Sequence, residues 1–272
     1  MLVHILADYG QGDLAFAEVV QRIKRALPDA DVVLTPIAPF ATLAAGFCIA
    51  QLGLNEAPAG TLIYHNIAPR SDDKRARSGN AGERLAFARL ITGVRVIGVL
   101  AGYTFSFIRD ASEEIRWVSV SAEGSQFRSR DLFPSAVAQV AAGESSLLGK
   151  VPRTQIPAVP KAQIAYIDGY GNIKTTLEPE EVSFAPGTLL EVRIGRATQK
   201  ATVANASFEI PVGEMALAPG SSGWRNAEGH LVRWMELFLR GGNAWEAFGR
   251  PPVGTSIEIL SQLPSKRRRP RS

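Results

Sequence analysis

Two stretches of the chain put ligand-gripping residue types close together. Asp168-Gly169-Tyr170-Gly171-Asn172 sets a carboxylate, an aromatic ring and an amide between the β-favouring runs Ala165-Tyr166-Ile167 and Ile173-Lys174-Thr175-Thr176. Its glycines allow positive φ and let a flat ligand approach the backbone. The same residues also make ordinary hairpin turns, so the pattern fits a ligand-contacting turn or a plain one. Near the N-terminus, Asp8-Tyr9-Gly10-Gln11-Gly12-Asp13 follows the apolar run from Leu2 to Ala7. A third stretch, Ala68-Pro69-Arg70-Ser71-Asp72-Asp73-Lys74-Arg75, is polar and long enough for an active-site loop or a surface one.

The surrounding pattern says which elements hold these residues. Phe16, Val20, Ile23 and Leu27 fall at helical spacing after Asp13 and end at Pro28, which predicts strand, loop and amphipathic helix. Further strands are expected over residues 31–34, 60–64, 94–100 and 115–120, with helices over 40–54 and 135–142. This alternation predicts an α/β N-terminal domain with a mostly parallel sheet, in which ligands sit beyond the carboxyl ends of the strands. Asp8 and the loop from Asn66 onward lie there. Residues 151–162 carry Pro152, Pro157 and Pro160 without periodicity and read as a linker between this domain, residues 1–150, and a second over 163–262. The second holds short strands with frequent turns, as in a smaller all-β, barrel-like domain. Residues 263–272 form a basic tail.

Composition narrows the function classes. The 272 residues are 46% hydrophobic and 21% charged, as in a soluble folded protein. Of the net charge of +4, five positive charges come from Lys266, Arg267, Arg268, Arg269 and Arg271, so the body is close to neutral and carries no basic binding face. Contact with nucleic acid is expected only through that tail. The single cysteine, Cys48, lies in an apolar run as a buried structural thiol would. Met1 to Leu6 lacks the pattern of a signal peptide and residues 40–54 are too few to span a bilayer, so a cytoplasmic protein with no membrane partner is expected. His4, His65 and His230 lie far apart without metal-ligand neighbours, and no P-loop, dinucleotide fingerprint or nucleophile elbow is present, so neither metal nor cofactor is expected.

The Asp168 stretch resembles the "D-x-F-G-N-x-x-T-N" signature of the S-adenosyl-L-methionine (SAM) hydroxide adenosyltransferases, the group that includes the SAM-dependent fluorinases and chlorinases. Tyr170 stands for the Phe and Thr176 for the final Asn. The N-terminal stretch resembles the family's "T-D-F-G-x-x-D" opening, and Gly220-Ser221-Ser222-Gly223 its "N-S-x-G" loop beside adenine. The resemblance runs in order from Leu2 to about Leu260 and implies the fold just described. It also implies a homotrimer that binds SAM, as substrate or ligand, between the N-terminal domain of one subunit and the C-terminal domain of its neighbour. On this likeness Asp8 grips the ribose hydroxyls, while Asp168, Tyr170, Asn172, Ser221 and Ser222 hold the amino-acid and adenosine parts.

The nucleophile loops depart from the family. Hydroxide-transferring members carry "V-V-D-P-G-V-G-x-x-R" and "F-H-G-R-D", an Asp-Arg-His set that activates water. Here Ala68 stands at the Asp position and Arg128 at the His position, Arg75 remains, and Ala101-Gly102-Tyr103-Thr104 replaces "P-D-N-G". The halogenating members' hydroxyl positions match Ser71 and Ser129, although their halide-pocket tyrosine is Ala68. The catalytic candidates are therefore Arg75, Ser71 and Ser129. Three readings stand: a SAM hydrolase releasing adenosine and L-methionine through an altered water site, a degenerate SAM- or adenosine-binding module, and a SAM-dependent halogenase.

Overall fold

The computed structural model describes residues 1–69, 83–121, 127–150 and 153–263. The chain divides into one unit of Met1–Val159 with Trp224–His230 and another of Pro160–Gly223 with Leu231–Ser272. The first contains β1 (Leu2–Ala7), α1 (Leu14–Ala26), β2 (Asp31–Pro36), α2 (Thr42–Gly53), β3 (Leu62–Asn66), β4 (Leu85–Leu90), β5 (Arg95–Val99), β6 (Ser112–Val118), α3 (Arg128–Asp131), α4 (Phe133–Ala141) and β7 (Leu148–Lys150).

Its seven strands run in the order β2-β1-β3-β5-β4-β6-β7. The sheet is mixed rather than mostly parallel: β2, β1, β3 and β5 pair in parallel, whereas β4 is antiparallel to β5 and β6, and β6 to β7. The turn from β4 to β5 explains the reversal. Leu90 N–H donates to Val94 O, and Gly93 takes φ +82, so the connection is far too short for a parallel crossover. Leu85–Leu90 went unread as a strand because its Leu, Ala and Arg favour helix as readily as sheet.

Local chemistry sets the helices. Asp13 caps α1, its carboxylate accepting from Ala15 N–H at 2.8 Å, and α1 turns Phe16, Val19 and Ile23 into the core. Helix α2 is buried on nearly every face, as its Ala-rich composition implies. Cys48 lies within it, its thiol pushed up to about 12 by burial, which makes it an inert packing group.

The second unit contains β8 (Ile164–Ile167), β9 (Ile173–Thr175), β10 (Leu189–Ile194), β11 (Ala197–Val203), β12 (Met215–Arg225, except for Trp224 and Arg225), β13 (Leu231–Leu239), α5 (Ala244–Ala247) and β14 (Ile257–Leu263). The strand order is β14-β10-β11-β12-β13-β9-β8. Strands β11 and β12 pair in parallel, while β10 runs antiparallel to β11 and β14, and β9 to β13 and β8. The two ends of the sheet come together: Gln163 and Ser256 form an antiparallel bridge, and Ile257 N–H donates to Ala162 O at 2.7 Å. The sheet therefore curls around a core that includes Ile164, Ile173, Leu190, Val192, Leu217 and Leu237. Among the described residues no helix is long and apolar enough to cross a membrane.

One close contact in the first unit gives a direct test of packing. His65 on β3 is fully buried, and a Cβ built on Gly98 of β5 would lie 2.0 Å from its ring. Burial lowers the imidazole to about 3, so the ring is neutral. Gly98→Ala is expected to cost about 1–3 kcal/mol in urea denaturation, and adding His65→Ala should recover part of that loss. The unfolded chain protonates this histidine near its ordinary value of 6.5, but the folded one does so only near 3. Stability should therefore fall as pH drops from about 6.5 toward 3, and His65→Leu should show a flatter acid limb in melting temperature.

Candidate functional site

The first unit gathers its polar residues at the carboxyl ends of β1 and β3. Ala7 pairs with Asn66 in parallel register, so the residues after both strands emerge side by side. Asp8 accepts the backbone N–H of Phe40 at 3.2 Å. Phe40 is half exposed, at 50%, and takes φ +61, an uncommon conformation for a residue with a bulky side chain. Strain of this kind clusters at ligand sites, and here the strained residue is the one whose backbone N–H meets the Asp8 carboxylate.

Beside Asp8, Tyr9 Oη lies 2.5 Å from Ser129 Oγ and accepts Asn66 Nδ2 at 3.1 Å. Tyr64 Oη donates to the Ser129 carbonyl at 2.9 Å. Edge-on contacts from Phe16 and Phe127, with centroids 5.1 and 5.9 Å away, hold the Tyr9 ring. Ala68, half-buried, packs against the same cluster. Arg128 donates to the Glu83 carbonyl at 3.4 Å, and its guanidinium lies 5.2 Å from the centre of the Phe133 ring. Ser71 and Arg75 lie outside the described residues.

The second unit carries a cavity of about 720 Å³ lined by Asp168, Tyr170, Asn172 and Ser221, together with Lys174, Glu236, Arg233 and Arg240. Asp168 organises the turn from β8 to β9. One oxygen accepts the N–H groups of Tyr170 at 2.9 Å and Asn172 at 3.0 Å, while the other accepts Asn172 Nδ2 at 3.0 Å. Gly171 takes φ +78, and a Cβ there would sit 2.0 Å from Asn243 Oδ1, the oxygen that caps α5. The turn thus projects Tyr170, 82% exposed, onto the rim with Phe208 at 81%.

Beneath the turn lies a charged core. Lys174 Nζ contacts Glu236 Oε1 at 2.7 Å and Asp168 Oδ2 at 3.3 Å, with the Lys174 and Glu236 side chains each only 8% exposed. Burial alone would raise the Asp168 carboxyl, but hydrogen bonds from Asn172 and the charge of Lys174 hold it below the ordinary carboxylate value. Sequence reading missed Lys174 and Glu236. The available signal was two opposite charges inside strand-like runs, Lys174 between Ile173 and Thr175 and Glu236 between Met235 and Leu237, which pair across β9 and β13.

Ser221 and Ser222 occupy strand β12 rather than the loop expected of them, and only Ser221 reaches the cavity. The flanking glycines serve strand packing instead of a turn: a Cβ on Gly220 would lie 2.9 Å from Glu236 Oε2, and one on Gly223 2.4 Å from Val232 O. A second cavity of about 720 Å³, lined in part by Leu189, Gln199, Lys200 and Met215, contains none of the expected residues. Among the described residues no group of three or more His, Cys, Asp and Glu side chains is placed to hold a metal ion.

No protein-family model matches the chain, and no curated protein does. Solved structures share its fold, among them the following two. An uncharacterized conserved protein from Thermotoga maritima superposes with a TM-score of 0.70 at 19% identity, covering 95% of this chain and 100% of its own. A conserved hypothetical protein from Thermus thermophilus gives 0.65 at 22% identity, covering 95% and 99%.

Removing Lys174 leaves the buried Glu236 and the half-buried Asp168 carboxylates without their cation. Lys174→Met is expected to destabilise the protein by about 3–5 kcal/mol in urea denaturation, and Lys174→Met with Glu236→Leu should recover much of that.

Proposed function

We propose that this protein binds SAM and directs water to its C5′ carbon, giving adenosine and L-methionine. The carrying observation is that Asp168, Tyr170, Asn172 and Ser221, drawn from two separated stretches, line one cavity. Its volume lies within the usual range of small-molecule sites, roughly 300–1,000 Å³. The exposed rings of Tyr170 and Phe208 can stack on a flat base, and the charged floor suits a ligand that is part zwitterion. In the first unit, Asp8 beside the displayed Phe40 supports the ribose-gripping role that the resemblance implies.

The proposed reaction asks for positioning above all. The C5′–S bond breaks with its electron pair on sulfur, which leaves as a neutral thioether and needs no proton. A C5′–O bond forms, and the attacking water releases one proton to solvent. Orienting two reactants can supply about 7–11 kcal/mol of barrier reduction without an ionised base. The assembly that goes with this reading is a cytoplasmic homotrimer holding SAM between subunits.

A second reading, a binding module that does not turn SAM over, is favoured by two observations. Ala68 offers no titratable group where the family has Asp, and Arg128 is engaged by carbonyl oxygen and by the Phe133 ring.

Calorimetric titration with SAM and with adenosine, followed by chromatography of the same mixtures after long incubation, separates the readings. Saturable SAM binding with chloride-independent release of adenosine supports hydrolysis. Binding without product supports the module, a 5′-chloro nucleoside formed only with chloride supports halogenation, and absence of binding overturns all three. Asp8→Asn should weaken SAM binding roughly 10–100-fold, matching the worth of a charge-assisted hydrogen bond at about 1.5–3 kcal/mol.

A further inference from the structure

We infer that the second cavity of the second unit binds a free α-amino acid with an apolar side chain, its carboxylate on Lys200 and its ammonium on Glu214. None of the residues expected to hold SAM lines this cavity, and its occupancy does not depend on SAM binding.

The cavity exists because two strands part. β11 and β12 pair in parallel at Thr202 with Ala216 and at Val203 with Leu217. Continued back by two residues, that register would set Lys200 opposite Glu214 at the roughly 4.8 Å spacing of neighbouring strands, close enough for an ion pair. No such pair forms: among the described residues neither side chain has a charged partner. Glu191, opposite Lys200 on β10, does not pair with it either.

Backbone bonds hold the two charges apart. Gly213 N–H donates to the Arg240 carbonyl at 2.8 Å and Arg240 N–H to the Glu214 carbonyl at 3.0 Å, which ties this turn to the end of β13 instead of to β11. On the facing wall Gln199 Nε2 donates to the Ala247 carbonyl at 2.7 Å, which ties β11 to α5. Both walls are thus braced, and a preformed space is the usual condition of a small-molecule site.

The lining sets the class of ligand. About 720 Å³ lies between Lys200 and Glu214, and Leu189, Met215 and Leu239 supply an apolar wall. A simple anion would satisfy Lys200 alone and a simple cation Glu214 alone. An α-amino acid carries both counter-charges on one carbon, and its side chain, laid against the apolar wall, leaves water with a gain of about 0.8 kcal/mol per CH₂. Methionine suits such a wall because its unbranched thioether adapts to irregular apolar surfaces. It is also the amino acid that the proposed reaction would release.

The test is calorimetric titration of the full-length protein with four probes. These are L-methionine, N-acetyl-L-methionine without the ammonium, L-methioninamide without the carboxylate, and glycine without the side chain. L-Methionine is expected to bind saturably, and each of the other three roughly 10–100-fold more weakly. Lys200→Met should weaken L-methionine by a similar factor and erase its advantage over L-methioninamide, and Glu214→Gln should erase its advantage over N-acetyl-L-methionine. Both side chains are exposed, so thermal melting of the two variants should match wild type. Absence of saturable L-methionine binding overturns the site. Binding that survives both substitutions belongs elsewhere on the protein and overturns it as well, and N-acetyl-L-methionine binding as tightly as L-methionine overturns the amino-acid class. SAM binding and hydrolysis can fail while this result stands, and the reverse.

Discussion

The parallel register between β1 and β3 is the constraint on which the first unit's site depends. Ala7 lies opposite Asn66 because Val3, Ile5, Leu62 and Tyr64 are buried in one core, each fully apolar side chain contributing about 1.5–3 kcal/mol. A slip of one residue would turn Tyr64 out of that core and put His65 in its place. Hydrophobic burial therefore sets where Asp8, Tyr9 and Asn66 emerge, and their polar contacts follow from it. Tyr64 joins the two levels: its ring is part of the core, while its hydroxyl anchors the Ser129 carbonyl.

The second unit is organised on a different principle, the satisfaction of buried charge. Lys174 and Glu236 face each other across β9 and β13, with Asp168 as the third member. An apolar pair of similar volume is often as stable as a buried ion pair. What the ions add here is local: beside the Asn172 hydrogen bonds, the Lys174 charge holds the Asp168 carboxyl below its ordinary value, and Asp168 accepts the two backbone N–H groups that shape the Tyr170 turn. Gly220 fits the same network, since a side chain at that position would press on the Glu236 carboxylate. The cavity wall and the turn on its rim are thus one electrostatic unit.

Residues whose role is local were legible in the sequence. Asp13 as a helix cap, the Asp168 turn and the buried helix around Cys48 each follow from a few neighbouring residues. Non-local features were not. The antiparallel half of the first sheet depends on β4, whose Leu- and Ala-rich run carries no strand period, and Ser221 and Ser222 read as a turn because their glycines look the same in a turn and in a tightly packed strand. The Tyr9–Ser129 contact spans 120 positions, and nothing near either residue announces the other. Side chains such as Lys174 could have been flagged by apolar neighbours, but their partner is set by strand register.

The two units satisfy their polar groups differently, the first by neutral hydrogen bonds and the second by paired charge. The second unit holds ionised groups against the cost of burial by pairing Lys174 with two carboxylates. Water needs no such charge if its target already carries a strong leaving group. A sulfonium departs as a neutral thioether, so bond breaking lags little behind attack and the water need not be deprotonated first. Loss of an Asp–His pair then removes a rate factor of about 10²–10⁴ but leaves the reaction path open. Tyr9, which follows Asp8 in the sequence, is joined by hydrogen bonds to Asn66 and Ser129, and all three are neutral groups in such a path. That is why a chain with Ala68 and Arg128 at those two positions can still be read as a catalyst.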